Sequence, residues 1–152
     1  METVFQLVGF TVLPWWAAMI LAPRWRWTTR LVSSPLIVVP PLAIYAVLVL
    51  PRLAAILPAV ASPELGVIAA SLGTPTGTTI AWAHFLAFDL FVGRWIFLDA
   101  RERALSPWLV SPLLLATFLV GPIGLLGYLA LRSALTRRGG DSSAAGPWPP
   151  PA

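Results

Sequence analysis

The run Ala83–Ala100, AHFLAFDLFVGRWIFLDA, is long enough for a bilayer-crossing helix, yet it holds His84, Asp89, Arg94 and Asp99. Near the centre of a membrane helix an Asp or Arg costs about 2.5–3.5 kcal/mol, and each Leu, Ile, Phe or Val returns about 0.3–0.6. The apolar residues between Ile80 and Leu98 thus supply roughly 3–6 kcal/mol against roughly 5–7 for Asp89 and Arg94. Such a helix inserts well only with partner helices around it. An ionisable residue held in a span at that cost is a candidate functional residue.

The rest of the chain is apolar enough to provide those partners. Of 152 residues 58% are hydrophobic and 11% charged, with a mean hydropathy of +0.83, well beyond ordinary soluble composition. The expected fold class is all-α: an integral membrane bundle of four transmembrane helices, at about Val4–Ala22, Pro35–Leu50, Ile80–Ala100 and Leu109–Leu131. Pro58, Pro63 and Glu64 mark the stretch between the second and third spans as a short interfacial or re-entrant segment. Pro14 is expected to kink the first span and the Pro40–Pro41 pair to bend or break the second. Pro122 falls inside the fourth, beside Gly121, Gly124 and Gly127, whose spacing lets another backbone approach closely. Residues 1–136 form the transmembrane domain, and 137–152, rich in Gly, Ser and Pro, read as a disordered tail. The first run lacks a basic n-region and reads as a retained span, giving a multi-pass protein of the cell membrane.

The net charge of +4 comes from arginine alone, and most arginines flank the apolar runs. That is membrane-interface charge rather than a nucleic-acid footprint, and the expected partner is the lipid bilayer. Arg24, Trp25 and Arg26 suit the headgroup zone, where indole and guanidinium meet lipid phosphate. With four spans, Arg24, Arg26, Arg30, Arg101 and Arg103 face Arg52, Arg132, Arg137 and Arg138 across the membrane, a nearly even split that sets no orientation. The absence of cysteine excludes disulfides and thiolate metal sites. With one histidine, no metal and no cofactor is expected. The Gly73–Thr79 run GTPTGTT lacks the GK[ST] ending of a phosphate loop and reads as a helix cap, with Thr78 or Thr79 accepting from free amides. An arginine-only basic set with abundant Ala and Pro fits a GC-rich bacterial gene.

His84, Asp89, Arg94 and Asp99 recur every five residues, an advance of roughly 140° per step, so a straight helix points them in several directions. A π-bulge near Gly93 would draw them toward one face. Asp89 sits mid-span, with His84 and Arg94 about 7.5 Å along the axis to either side, and Asp99 lies near the solvated interface. Three readings follow. His84 and Asp89 exchange protons in a dry cleft while Arg94 holds one charge in place, which makes the three candidate catalytic residues. Alternatively, Asp89 and Arg94 form a structural clamp with Tyr45, Thr117 or Tyr128. The third is a proton pathway through His84 and Asp89. Trp82, Phe88, Trp95, Tyr45 and Tyr128 are the candidate walls for an apolar ligand.

Three segments carry a family resemblance: WAHFLAFDLFVGRWIFLDARER (Trp82–Arg103), APRWRWT (Ala22–Thr28) and GPIGLLGYLALR (Gly121–Arg132). In these the chain resembles the small four-span membrane proteins that include plant neoxanthin synthase, the abscisic-acid-deficient-four-like family. The resemblance covers all but the tail. It implies a four-helix membrane fold and an apolar isoprenoid or carotenoid ligand. For an enzyme, it implies cofactor-free isomerisation, since converting violaxanthin into neoxanthin is redox-neutral and needs one acid and one base.

Overall fold

The structure, a computed structural model, describes residues 1–143, with side chains through Leu135. Every regular element among them is helical: α1 Glu2–Leu21, α2 Arg26–Ser33, α3 Val39–Val49, α4 Leu53–Ala61, α5 Leu65–Leu72, α6 Pro75–Glu102, α7 Pro107–Val120 and α8 Pro122–Ser143. Short 3-10 turns at Pro35–Val38 and Leu50–Arg52 join α2 to α3 and α3 to α4.

Among the described residues, three stretches are long and apolar enough to cross a membrane: Glu2–Leu21, Pro35–Ala61 and Pro75–Glu102. The second is longer than the expected Pro35–Leu50. Pro40 and Pro41 do not break it, because they fall in the first turn of α3, where the missing N–H groups have no intrahelical partner to lose. The expected fourth span is divided instead, into shorter apolar helices at Pro107–Val120 and Pro122–Leu135. Of the tail expected from residue 137, the part beyond Ser143 lies outside the described residues.

Helix α6 is the axis of the bundle. Thr74 caps it, its hydroxyl accepting from the Gly77 amide at 3.0 Å, and Pro75 opens the first turn. The cap therefore falls earlier than Thr78 or Thr79, whose hydroxyls donate to the carbonyls of Leu72 and Pro75 at 2.7 Å each. From there α6 is regular to Glu102, with no π-bulge at Gly93.

Contacts along α6 set the direction of its neighbours. Phe5 stacks on Trp82, Trp16 lies over Gly93, and Pro23 meets Arg101, so α1 runs parallel to α6. Gly93 matters here because the Trp16 ring occupies the space a Cβ would need. Tyr45 packs beside His84 while Val38 meets Phe88 and Phe91, so α3 runs antiparallel. Helix α7 is antiparallel too, with Val110 and Leu114 against Phe97 and Ala100. It stops at Gly121, whose φ of 25° and ψ of −88° lie outside the helical region. Helix α8 then folds back on α7, Gly124 against Thr117 and Gly127 against Leu113. These small residues allow the close antiparallel approach their spacing predicts. The core is apolar and includes Val8, Val12, Trp16, Leu90, Ile96 and Leu114.

Candidate functional site

The regular pitch of α6 sends its polar side chains to different neighbours. His84 is exposed on the α3 side, its ring stacked on Phe88 with centroids 4.6 Å apart and tilted against Tyr45 at 5.6 Å. Beside this aromatic group Val38, Leu42, Ala87, Phe88 and Phe91 line an apolar groove of about 230 Å³. Phe88, Phe91 and Leu42 are all exposed, so the groove opens sideways, toward the position of lipid tails.

Asp89 points elsewhere, to the break between α7 and α8. Its carboxylate lies over Gly121, where a Cβ would come within 2.6 Å of Oδ1. Pro122 opens the first turn of α8 immediately after, so the acid faces the positive end of that helix. Asp89 is only partly buried. Among the described residues it makes neither an ion pair with Arg94 nor a hydrogen bond.

Arg94 has a different task. Its Nε donates to the Val32 carbonyl at 2.8 Å and its NH2 to the Ser33 carbonyl at 2.6 Å. Those are last-turn carbonyls of α2, which have no intrahelical donor and attract a cation. Arg101 acts similarly one level further out, donating to Pro23 O at 3.0 Å while lying over the Phe97 ring. The two arginines thus tie the α1–α2 region to the bundle axis. Nothing in the linear sequence announces this, because donors and acceptors are 61 to 78 positions apart.

Asp99 is more enclosed than an interfacial carboxylate was expected to be, its side chain 12% exposed. It accepts from the Tyr128 hydroxyl at 2.5 Å and from Arg103 Nε at 2.8 Å, with Arg132 Nε at 3.4 Å. Trp95 meets Tyr128 edge-on at 5.6 Å and lies under the Arg132 guanidinium. Tyr128 and Trp95, expected as ligand walls, thus sit in a polar knot joining α6 to α8, and Tyr128 is fully buried. The Asp89–Arg94 clamp does not form: Tyr128 serves Asp99, and Thr117 bonds the Leu113 carbonyl of its own helix. Trp82 stacks on Phe5. Arg24 and Trp25 line an outer cleft with Trp108, and Arg26 lies over Trp27.

The structure therefore brings His84, Tyr45 and Phe88 together and separates them from Asp89, Arg94 and Asp99. Residues 3–128 match the family model described as ABA DEFICIENT 4-like. The chain belongs to the ABA4-like family. The matched region takes in α1 from Thr3, all of α2 to α7, the start of α8 and every polar side chain of α6. No curated protein and no solved structure matches this ABA4-like chain significantly.

Proposed function

We propose that this ABA4-like membrane protein binds an elongated isoprenoid of the carotenoid class in the groove between α3 and α6. The observation that carries the proposal is the His84–Phe88 stack, which sets a titratable ring and the Tyr45 hydroxyl beside an otherwise apolar wall. A polyene has only dispersion and π contacts to offer along most of its length, and Phe88, Phe91 and Leu42 supply them. An oxygenated end group would find its hydrogen-bonding partner at His84 or Tyr45. Should the bound molecule be isomerised, His84 carries the proton: one is added at an oxygen and one removed from carbon, and the composition is unchanged. Asp89, on another side of α6, is outside this groove and would act there only through the helix.

The test is organic extraction of the protein purified in mild detergent, followed by mass spectrometry of the extract. We expect an isoprenoid to co-purify with the natural chain and to fall at least tenfold with Leu42→Trp, which fills the groove. Absence of any isoprenoid above a detergent blank, together with an unchanged host isoprenoid profile on deletion, would sink the proposal.

A second reading, that the polar residues of α6 only organise helix packing, is favoured for Arg94 and Asp99 by their contacts. Arg94 bonds backbone carbonyls and Asp99 bonds Tyr128 and Arg103.

A further inference from the structure

The turn between α7 and α8 lies level with Asp89, deep inside the third spanning stretch, and not at its end. Asp89 is about 18 Å along α6 from Arg101, where the chain leaves the apolar zone. Helix α7 has 14 residues, about 21 Å of helix, and falls short of a hydrocarbon core of about 30 Å. Helix α8 then retraces the path: Tyr128 and Arg132 reach Asp99, and Leu135 comes beside Leu105. Both open ends of the hairpin are thus at the same end of the bundle as the C-terminus of α6. A non-helical residue at membrane depth survives only where protein covers it, and Asp89 covers Gly121.

This path redistributes the arginines. Arg24 and Arg26, with Arg30 on α2, stand at that same end, because Pro23 bonds Arg101 and the last turn of α2 bonds Arg94. Arg101, Arg103 and Arg132 join them, and α8 continues through Arg137 and Arg138. Arg52 stands at the opposite end, beside Thr76 and Gly77, in company with Glu2 and Glu64. The even split expected for four spans becomes eight arginines against Asp99, Glu102 and Asp141 at one end, and Arg52 against Glu2 and Glu64 at the other. Trp25, Trp27 and Trp108 are exposed on the basic end, as headgroup-level anchors are.

We infer that α7 and α8 form a re-entrant hairpin, and that the arginine-bearing end is seated on the anionic headgroups of the cytoplasmic leaflet. Short basic connections are retained on the cytoplasmic side, and anionic lipid there attracts them. Residue 1 and the α4–α5 turn then face outward, and the α6–α7 turn and the end of α8 face inward.

The natural chain has no cysteine, so single cysteines report position directly. Ser62→Cys, Ser106→Cys and Ala134→Cys, each at an exposed position, are expressed in a bacterial host and treated with a membrane-impermeant maleimide. Ser62→Cys should label on intact spheroplasts, whereas Ser106→Cys and Ala134→Cys should label only after permeabilisation. Labelling of positions 106 and 134 from opposite sides would overturn the re-entrant hairpin. Labelling of position 106 from outside, with position 62 protected, would overturn the orientation. Replacing Arg24, Arg26 and Arg30 with glutamine should raise the reversed fraction severalfold, and an unchanged fraction would overturn the role given to the arginines.

Discussion

Asp89 and Gly121 occupy each other's space: the carboxylate of one stands where the side chain of the other would begin, 2.6 Å from a Cβ at that position. Gly121 also has φ of 25°, a region that costs residues with a side chain about 1–3 kcal/mol. Gly121→Ala is therefore expected to lower stability by about 2–4 kcal/mol, combining that backbone cost with displacement of the acid. Thermal unfolding in detergent measures the loss. Pairing the change with Asp89→Ala should recover the steric part, and a purely additive double mutant would contradict the contact.

Arg94 serves two carbonyls from one planar group, Val32 O and Ser33 O. An ammonium is a point charge without that fork. Arg94→Lys should retain the fold but loosen α2, and Arg94→Met should loosen it further. Amide hydrogen exchange over residues 26–34 is the measurement, with at least tenfold faster exchange expected in Arg94→Met. Equal protection in both variants and the natural chain would refute the tether.

The Tyr128 hydroxyl is buried and bonded to a carboxylate, and hydrogen bonds to charged groups contribute about 1.5–3 kcal/mol. Tyr128→Phe keeps the edge-on contact with Trp95 and removes only that bond. A stability loss of about 1–2 kcal/mol is expected. Arg103→Ala should cost less than about 1 kcal/mol, because its side chain is 36% exposed and the pair is screened. A reversed ranking in thermal unfolding would show that the ion pair, not the hydroxyl, holds α8 to α6.

Gly93 meets the Trp16 ring so closely that no side chain fits without movement. Overpacking of this kind costs about 1–3 kcal/mol. Gly93→Ala should destabilise the α1–α6 contact by that amount and change Trp fluorescence, while Gly93→Ala combined with Trp16→Phe should be milder. Gly9, with open space around it, provides the control: Gly9→Ala should be neutral or slightly stabilising, since alanine is the better helix former.

How much of this was legible in the chain differs between its parts. That α6 needs partners follows from the insertion cost of Asp89 and Arg94, and the helix is indeed the axis of the bundle. The family was legible too, in the Trp82–Arg103 motif. The separation of Asp89 from Arg94 was not, and the clamp expected between them does not form, because a regular helix turns residues five apart to different neighbours and only the packing says which. The Gly121–Pro122 pair was visible as a kink, yet a kink and a reversal share one local signature, a break in the N–H to C=O ladder.

The sequence by itself therefore determined helix content, membrane affinity and the presence of costly polar groups in α6, because these depend on local composition and periodicity, while the Trp82–Arg103 motif carried the family. Tertiary structure alone decided where those groups point. His84 went to the α3 groove, Asp89 to the hairpin tip, Arg94 to α2 and Asp99 to Tyr128. It also decided that α8 returns beside α7. Apolar length tells whether a segment can enter a bilayer; the partners it meets inside decide where it leaves.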